Sequence, residues 1–274
     1  MAADPRRILV VRAGALGDTL MATPVLPALA ARHPGAAIDF LASAAAAPLL
    51  EQHPLLRRVY RLRWRNLPYA LSLEQRRLVR AWRREPYDVA VVLEQAPQYR
   101  ALVERAGPAR VLGFHVTPFD PARHSIVNNL RAAGIAEPCA PPDMALPLSP
   151  ADLTRADALV GGAGEPLAGL HAGYGPARWR RKQQQEARLR GWPAERFAAV
   201  GRALAARGYR IVLTGSAADR RLVRRIAARL PPETTIDLAG RTGPRELAAV
   251  IARLAVLVSV DSGPAHMAAA VGTP

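Results

Sequence analysis

The chain has 274 residues, of which 50% are hydrophobic and 22% charged, and this composition excludes a disordered chain, a collagen-like fibre and a disulfide-rich scaffold. Its formal net charge of +16 is typical of proteins that bind nucleic acid or a membrane surface. However, Lys182 is the only lysine among 38 basic residues, so the charge also reflects a compositional preference for arginine. The apolar run Ile8–Val11 is too short for a signal peptide, no stretch is apolar enough to span a bilayer, and Cys139 is the only cysteine. We therefore expect a cytoplasmic protein.

Short apolar runs alternate with helical stretches along the chain, which is the pattern of βαβ units around parallel sheets. The first half contains predicted strands at Ile8–Val11, Ala37–Leu41, Asp88–Leu93 and Arg110–Gly113, with predicted helices at Met21–Arg32, Leu73–Arg84 and Ser125–Ala133. A proline-rich stretch, residues 138–150, then indicates a linker. The second half contains predicted strands at Ala168–His171, Tyr209–Thr214 and Ala255–Val260, with predicted helices at Ala194–Arg207, Ala217–Leu230 and Pro244–Arg253. The pattern predicts an α/β protein of two Rossmann-like domains, residues 1–150 and 151–274, whose parallel sheets face a central cleft.

The loop after the first strand, residues 12–18, is the first candidate site, because ligands of open α/β sheets bind beyond the carboxyl ends of the strands. Gly14 and Gly17 let a ligand approach the backbone, although their spacing is neither that of the dinucleotide fingerprint nor that of a phosphate-binding P-loop. Asp18 stands at the start of the following helix. It is either a helix cap, which contributes about 1 kcal/mol, or a catalytic base, and the spacing alone leaves both open.

A second strand-to-helix loop, residues 260–266, forms the other candidate site. Ser262 can cap the helix and Gly263 clears space, so the helix start is an anion site that suits a diphosphate. His266 in the first turn can donate to a phosphate oxygen, or it can simply pack against the sheet. Asp261 would repel an anion, so we expect it to bind sugar hydroxyls or to orient the loop.

These loops belong to longer motifs, residues 8–24 and 260–274, and four shorter motifs lie between them: Tyr87–Ala90, Leu170–Gly173, Trp192–Phe197 and Leu238–Thr242. In sequence and in order, the motifs resemble those of glycosyltransferase family nine, the ADP-heptose:lipopolysaccharide heptosyltransferases. The resemblance covers essentially the whole chain. It implies the GT-B fold, with an acceptor-binding N-terminal half and a nucleotide-sugar-binding C-terminal half.

The resemblance also implies inverting transfer that needs no metal and no cofactor. Asp18 matches the family's general base, which takes the proton of the acceptor hydroxyl. The implied donor-binding residues are Gly173, Asp261, Ser262, Gly263 and His266, with Arg190 or Lys182 as the cation that binds the diphosphate.

The chain departs from the family pattern in two places. At the end of the strand, the family carries Asp-x-Gln-Gly, whereas this chain has Leu93, Glu94, Gln95 and Ala96. We expect Gln95 to contact the acceptor, together with the glycines of the first loop, Gly14 and Gly17. The family also continues beyond the final Gly-Thr-Pro motif, so we expect the chain to be truncated at its C-terminus.

Residues 57–84 hold ten arginines and a single acid, Glu74, with tryptophans and tyrosines between them. Arginine and aromatic side chains suit nucleic acid, but the resemblance implies a surface that meets an anionic glycolipid at the inner face of the membrane. We expect acceptor contacts from Arg57, Arg61 and Arg63. The later arginines form the solvated face of a helix: Arg76, Arg77, Arg80, Arg83 and Arg84.

The predicted function is transfer of heptose from ADP-heptose to a lipopolysaccharide core or a similar glycolipid, by a cytoplasmic enzyme that can attach to the inner membrane surface. One alternative keeps the fold and the reaction but changes the nucleotide sugar or the acceptor. Another is a GT-B epimerase or nucleotide-sugar-binding protein that needs no second substrate. Nucleic acid is not expected as a partner.

Overall fold

The computed structural model describes residues 4–136, 142–162, 164–173 and 191–274. The chain divides into two compact units, residues 1–147 and 148–274. The sequence placed the domain boundary at residue 150, but Pro150 is the first residue of a helix whose cap, Ser149, already belongs to the second unit.

Five parallel strands form the sheet of the N-terminal unit, in the order β3-β2-β1-β4-β5. Their bounds are Arg7–Arg12 for β1, Ala37–Ser43 for β2, Leu56–Leu62 for β3, Val89–Val92 for β4 and Arg110–Gly113 for β5. The central strand β1 is paired on both sides, with Val10 opposite Phe40 and Val91. Residues 8–11 are therefore fully buried, which explains why this strand is continuously apolar.

The α-helices described in this unit are Leu16–Leu20 (α1), Val25–Arg32 (α2), Ala47–Leu50 (α3), Leu73–Arg84 (α4), Pro97–Glu104 (α5) and Ser125–Ala132 (α6). A 3₁₀ turn covers Tyr69–Leu71. Because successive side chains of a strand point to opposite faces, β1 contributes to two cores. Ile8 packs with Leu26 of α2 on one face, and Leu9 packs with Trp82 of α4 on the other.

The C-terminal unit has a four-stranded parallel sheet in the order β8-β7-β6-β9. Its strands are Leu167–His171 (β6), Arg210–Thr214 (β7), Thr235–Asp237 (β8) and Val256–Ser259 (β9). Its helices are Pro150–Val160 (α7), Ala194–Ala205 (α8), Arg220–Ala227 (α9), Pro244–Ile251 (α10) and Gly263–Val271 (α11), with 3₁₀ turns at Ala217–Asp219 and Pro232–Thr234. Among the described residues, no helix is both long and apolar enough to cross a membrane.

The predicted α/β class with parallel sheets is confirmed, but the strands β3 and β8 and the helices α3, α5 and α7 were not predicted. β3 falls in the segment that was interpreted as an arginine-rich ligand surface, and β8 has only three residues. Helix α7 follows directly on the stretch interpreted as a linker, because Pro150 suits the first turn of a helix. The predicted helix from Met21 begins at Val25, and Asp18 belongs to the separate short helix α1.

A buried ion pair stabilises the amino edge of the N-terminal sheet. The Asp39 side chain on β2 is 0% exposed, and its oxygens accept from Arg57 Nε at 2.9 Å and Nη2 at 2.6 Å. The Tyr87 hydroxyl donates to the same carboxylate at 2.5 Å. The hydrogen bond to Asp39 raises the pKa of the Arg57 guanidinium, while burial and then Asp39 raise the pKa of Tyr87. This network anchors the edge strand β3 to β2.

Candidate active site

Asp18 lies in the first turn of α1, immediately beyond the carboxyl end of β1. Its Oδ2 accepts the backbone N–H of Ala15 at 3.2 Å, and its Oδ1 lies 3.1 Å from Nη2 of Arg12. The Asp18 side chain is 39% exposed, whereas that of Arg12 is 14% exposed. One carboxylate oxygen therefore caps the helix while the other is paired with a largely buried cation, so the cap does not exclude a chemical role.

A second carboxylate, Glu94, faces the same guanidinium. Its Oε2 lies 3.9 Å from Arg12 Nη1, and its Oε1 is buried with no hydrogen-bond partner in the described part of the chain. Burial raises the pKa of Glu94; Arg12 opposes this shift and the negative charge of Asp18 adds to it. A Cβ at Gly14 would lie 2.9 Å from Asp18 Oδ2 and 3.4 Å from Glu94 Oε1. The absence of a side chain at Gly14 thus leaves room for both carboxylates.

Arg65 connects this loop to a neighbouring cavity. Its Nη1 donates to the carbonyl of Ala13 at 2.9 Å. The cavity has a volume of about 410 Å³, and the Arg105 guanidinium at its wall lies 4.3 Å from the centre of the Tyr69 ring. Neither Arg65 nor Arg105 forms an ion pair with a carboxylate among the residues that the structure describes, so the cavity is electropositive. Its lining residues are Arg65, Asn66, Leu67, Pro68, Tyr69, Gln75, Gln98, Ala101, Leu102 and Arg105.

The three arginines predicted to contact the acceptor are not brought together at this site. Arg57 is held in the buried pair at the amino edge of the sheet, opposite the edge where ligands bind. This position does not support the predicted acceptor contact. Arg61 pairs with the carboxylate of Glu51, and the backbone N–H of Arg63 donates to Glu74 Oε1 at 3.0 Å while its side chain is exposed.

The other predicted acceptor residues lie near Asp18 in different ways. Gly14 lines the gap between the two carboxylates, whereas Gly17 is buried in α1 and its carbonyl accepts the N–H of Met21 at 2.9 Å. Gln95 is exposed directly after Glu94. Gly14 and Gln95 are thus accessible to a ligand, while Gly17 serves the packing of the helix.

The second candidate site is the start of α11, a nine-residue helix that follows β9. Ser262 occupies the N-cap position, but the prediction that its side chain caps the helix is wrong, because no side-chain cap hydrogen bond forms there. The Ser262 hydroxyl instead lies 3.2 Å from the Ser259 hydroxyl. The helix start keeps its positive end without a side-chain cap. Asp261 is exposed, and Gly263 and His266 are half-buried in the first turn.

Gly173 lies beyond the carboxyl end of β6, against Asp219 in the segment after β7. A Cβ at Gly173 would be 2.5 Å from Asp219 Oδ2, so a side chain there would displace the carboxylate. Asp219 accepts the N–H of Ser216 at 2.8 Å and its hydroxyl at 2.6 Å. At the end of β6, His171 Nδ1 lies 2.8 Å from the Thr214 hydroxyl, and burial lowers the pKa of His171, so its ring is neutral near pH 7.

An electropositive cavity of about 460 Å³ lies beyond β8 in the same unit. Arg220 donates to the carbonyls of Ala239 and Gly240, both at 3.2 Å, and Arg241 donates to that of Asp237 at 3.3 Å. The guanidinium groups are thus held by backbone oxygens, and within the described ranges none of them forms an ion pair with an acid. The lining residues are Arg220, Arg224, Asp237, Ala239 and Arg241.

Two predicted diphosphate-binding cations, Lys182 and Arg190, lie outside the described residues. Within residues 4–136, 142–162, 164–173 and 191–274, no group of three His, Cys, Asp or Glu side chains is placed to hold a metal ion.

The chain is similar to known glycosyltransferases. Residues 184–274 match the family model of glycosyltransferase family 9 (heptosyltransferase). Lipopolysaccharide heptosyltransferase 2 of Salmonella typhimurium is 28% identical over 295 residues, which cover 98% of this chain and 81% of that protein. These matches agree with the family that the sequence motifs resemble, and the protein is a glycosyltransferase.

Solved structures confirm the predicted fold. The ADP-heptose lps heptosyltransferase II of E. coli superimposes with a TM-score of 0.80 at 24% identity, over 98% of this chain and 83% of that chain. The E. coli heptosyltransferase WaaC with ADP-2-deoxy-2-fluoro heptose gives a TM-score of 0.71 at 20% identity, over 98% of this chain and 87% of that chain. The two parallel sheets are those of the GT-B class.

Sequence reasoning missed three residues of the candidate sites. Glu94 was seen as a departure from a motif, and its proximity to Arg12 depends on the pairing of β1 with β4. Arg65 was not singled out because it follows the unpredicted strand β3. Asp219 had a readable signal, since Ser216 and Asp219 have the spacing of a capping box.

Proposed function

We propose that the protein transfers heptose from ADP-heptose to a lipopolysaccharide core or a similar anionic glycolipid, with inversion at the anomeric carbon and without a metal or cofactor. The observation that carries the proposal is the Asp18 carboxylate, which is open to solvent, fixed by Arg12 and placed at the carboxyl end of β1. Support for the donor comes from the relatives, which are named as lipopolysaccharide heptosyltransferases, and from the E. coli structure with an ADP-heptose analogue.

In the proposed reaction, Asp18 takes the proton of the acceptor hydroxyl while the hydroxyl oxygen bonds to the anomeric carbon of the donor. The bond from that carbon to the diphosphate oxygen breaks, and ADP leaves with the electron pair. Attack from the side opposite the leaving group inverts the configuration. Arg12 orients the carboxylate, because it holds Oδ1 at 3.1 Å.

The charge of the leaving diphosphate is stabilised at the start of α11. This helix end lacks a side-chain cap, so its amides and dipole are available to an anion. His266 in the first turn can donate a further hydrogen bond. In the proposal, Asp261 and Gly173 bind the sugar and nucleotide, and Lys182 or Arg190 adds the cation that the family resemblance implies.

The acceptor binds at the cavity beside Asp18. Its two guanidinium groups, from Arg65 and Arg105, form no ion pair among the described residues and suit an anionic sugar or phosphate of the glycolipid. Near the lining residues in sequence, Trp64 and Leu71 are 60% and 69% exposed, in the arginine-rich segment 57–84. We infer that this surface rests on the anionic inner face of the cytoplasmic membrane, where each nearby cation contributes about 1 kcal/mol.

A transfer assay tests the proposal. Purified protein is incubated with ADP-heptose and a lipopolysaccharide-core acceptor, and release of ADP and the mass of the glycolipid are measured, with and without EDTA. The proposal predicts an acceptor-dependent product with inverted anomeric configuration and no effect of EDTA. A product formed without acceptor would support an epimerase, and transfer from a different nucleotide sugar would support the second alternative.

A further inference from the structure

Arg12 is contacted by two carboxylates, and the reaction proposed above uses only one of them. Asp18 Oδ1 lies 3.1 Å from Nη2, and Glu94 Oε2 lies 3.9 Å from Nη1. Glu94 is 13% exposed, and its Oε1 has no hydrogen-bond partner within the described ranges. A buried, half-satisfied carboxylate costs free energy, so its position beside the candidate base calls for a role.

Protonation of Asp18 changes the charge balance around Arg12. Before proton transfer, Arg12 has the negative charge of Asp18 as its counter-ion. After transfer, Asp18 is neutral, and a guanidinium that is only 14% exposed would have no counter-ion without Glu94. An ionised Glu94 supplies that negative charge. Asp18 is therefore a stronger base than an aspartate that is the only counter-ion of an arginine.

We propose that Glu94 is a positioning residue that maintains the basicity of Asp18 by sharing Arg12 with it. This inference rests on the proposed role of Asp18 as general base. Glu94 acts through Arg12 and through the field at the loop, and it does not touch the sugar. Gly14 permits the arrangement, because a Cβ there would lie within 3.4 Å of both carboxylates.

The groups that face Glu94 come from every element packed around it. β1 contributes Arg12, α1 contributes Asp18, the segment after β3 contributes Arg65, and α5 contributes Tyr99. Burial raises the pKa of Glu94, with Asp18 acting in the same direction and the two arginines opposing. Both carboxylates therefore act on one cation, Arg12.

The test is the Glu94→Gln substitution, which removes the charge and keeps the shape. Without the negative charge of Glu94, Arg12 favours ionised Asp18 more strongly, so Asp18 becomes a weaker base. We expect a decrease of roughly one pH unit in the acid limb of kcat/KM and roughly a tenfold lower kcat, with an unchanged KM for the donor. Glu94→Asp, which keeps the charge, should restore most of the wild-type pH profile.

A matched control is Glu104→Gln on α5, which removes the same charge from an exposed pair with Arg100. It should leave the pH profile unchanged. A second readout, independent of substrate, is the titration midpoint of the Asp18 carboxyl by ¹³C NMR in protein with and without Glu94→Gln, which should fall by the same amount. An unchanged or raised midpoint would overturn the proposal. Failure of the wild type to transfer heptose would count against the proposed function and leave the NMR test intact.

Discussion

The role of Arg57 gives a sharp prediction, because the sequence indicated an acceptor contact and the structure places this residue at the amino edge of the sheet. Substitution Arg57→Ala removes two hydrogen bonds to Asp39, at 2.9 and 2.6 Å, and leaves a carboxylate with a fully buried side chain. Arg7 Nη2, at 3.7 Å, and the Tyr87 hydroxyl remain. We therefore expect a loss of stability with little effect on catalysis.

The magnitude follows from the burial of one partner and the partial exposure of the other. Removing one member of a buried pair costs about 3–5 kcal/mol, because the remaining charge is uncompensated. The Arg57 side chain is 36% exposed, so solvent screening reduces this free-energy cost. The remaining partners of Asp39 reduce the cost further. We expect a decrease of about 3 kcal/mol in the free energy of unfolding, or roughly 9 °C in Tm for a unit of this size.

The assay is scanning calorimetry of the wild type, Arg57→Ala and a matched control, Arg61→Ala. Arg61 lies on the same strand, but its partner Glu51 is 37% exposed, so its removal should cost less than about 1 kcal/mol. The acceptor KM of Arg57→Ala should equal that of the wild type. Wild-type thermal stability combined with a raised acceptor KM would refute the structural role of Arg57.

Two further substitutions test other parts of the structure. Gly14→Ala places a Cβ 2.9 Å from Asp18 Oδ2 and should reduce kcat about 10- to 100-fold without changing donor affinity, whereas Gly164→Ala, with open space around it, should be silent in the same kinetic assay. Burial alone would raise the pKa of Asp152, but its hydrogen bonds, above all the one from Arg245 at 2.8 Å, hold that pKa well below 3.8. A carboxylate whose pKa is lower in the folded than in the unfolded state stabilises the fold while it is ionised. The free energy of unfolding, measured with urea, should therefore decrease as the pH falls below about 4. Asp152→Asn should weaken this dependence, and an identical pH profile would contradict the assignment.

The central strands were predicted well, because strands that are buried on both faces are continuously apolar in sequence. Residues 8–11 and 89–93 are continuously apolar, and both strands are covered on two faces. The edge strand β3 was missed because its outward positions carry arginines, which protect an exposed edge and look like a ligand surface in a sequence alone.

The candidate site was predictable only where its residues are close in sequence. Asp18 and Gly14 share one loop after β1, so their proximity follows from position alone. Glu94 and Arg65 follow different strands. Whether they lie near the loop of Arg12 depends on the strand order and on the loop conformations, which the hydrophobic pattern of the sequence does not predict. The interpretation of Arg57 as an acceptor contact has the same cause, because its ion-pair partner, Asp39, lies on the neighbouring strand.

The central claim is that Asp18 is the general base of a heptosyl transfer whose donor binds at the start of α11. The direct measurement is kcat for ADP release with a lipopolysaccharide-core acceptor, compared between wild type and Asp18→Asn, with the Kd of ADP-heptose measured by calorimetry for both. We predict a loss of about 10²- to 10⁴-fold in kcat with an unchanged donor Kd. A variant that keeps the wild-type rate, or one that loses donor binding instead of turnover, would contradict the account.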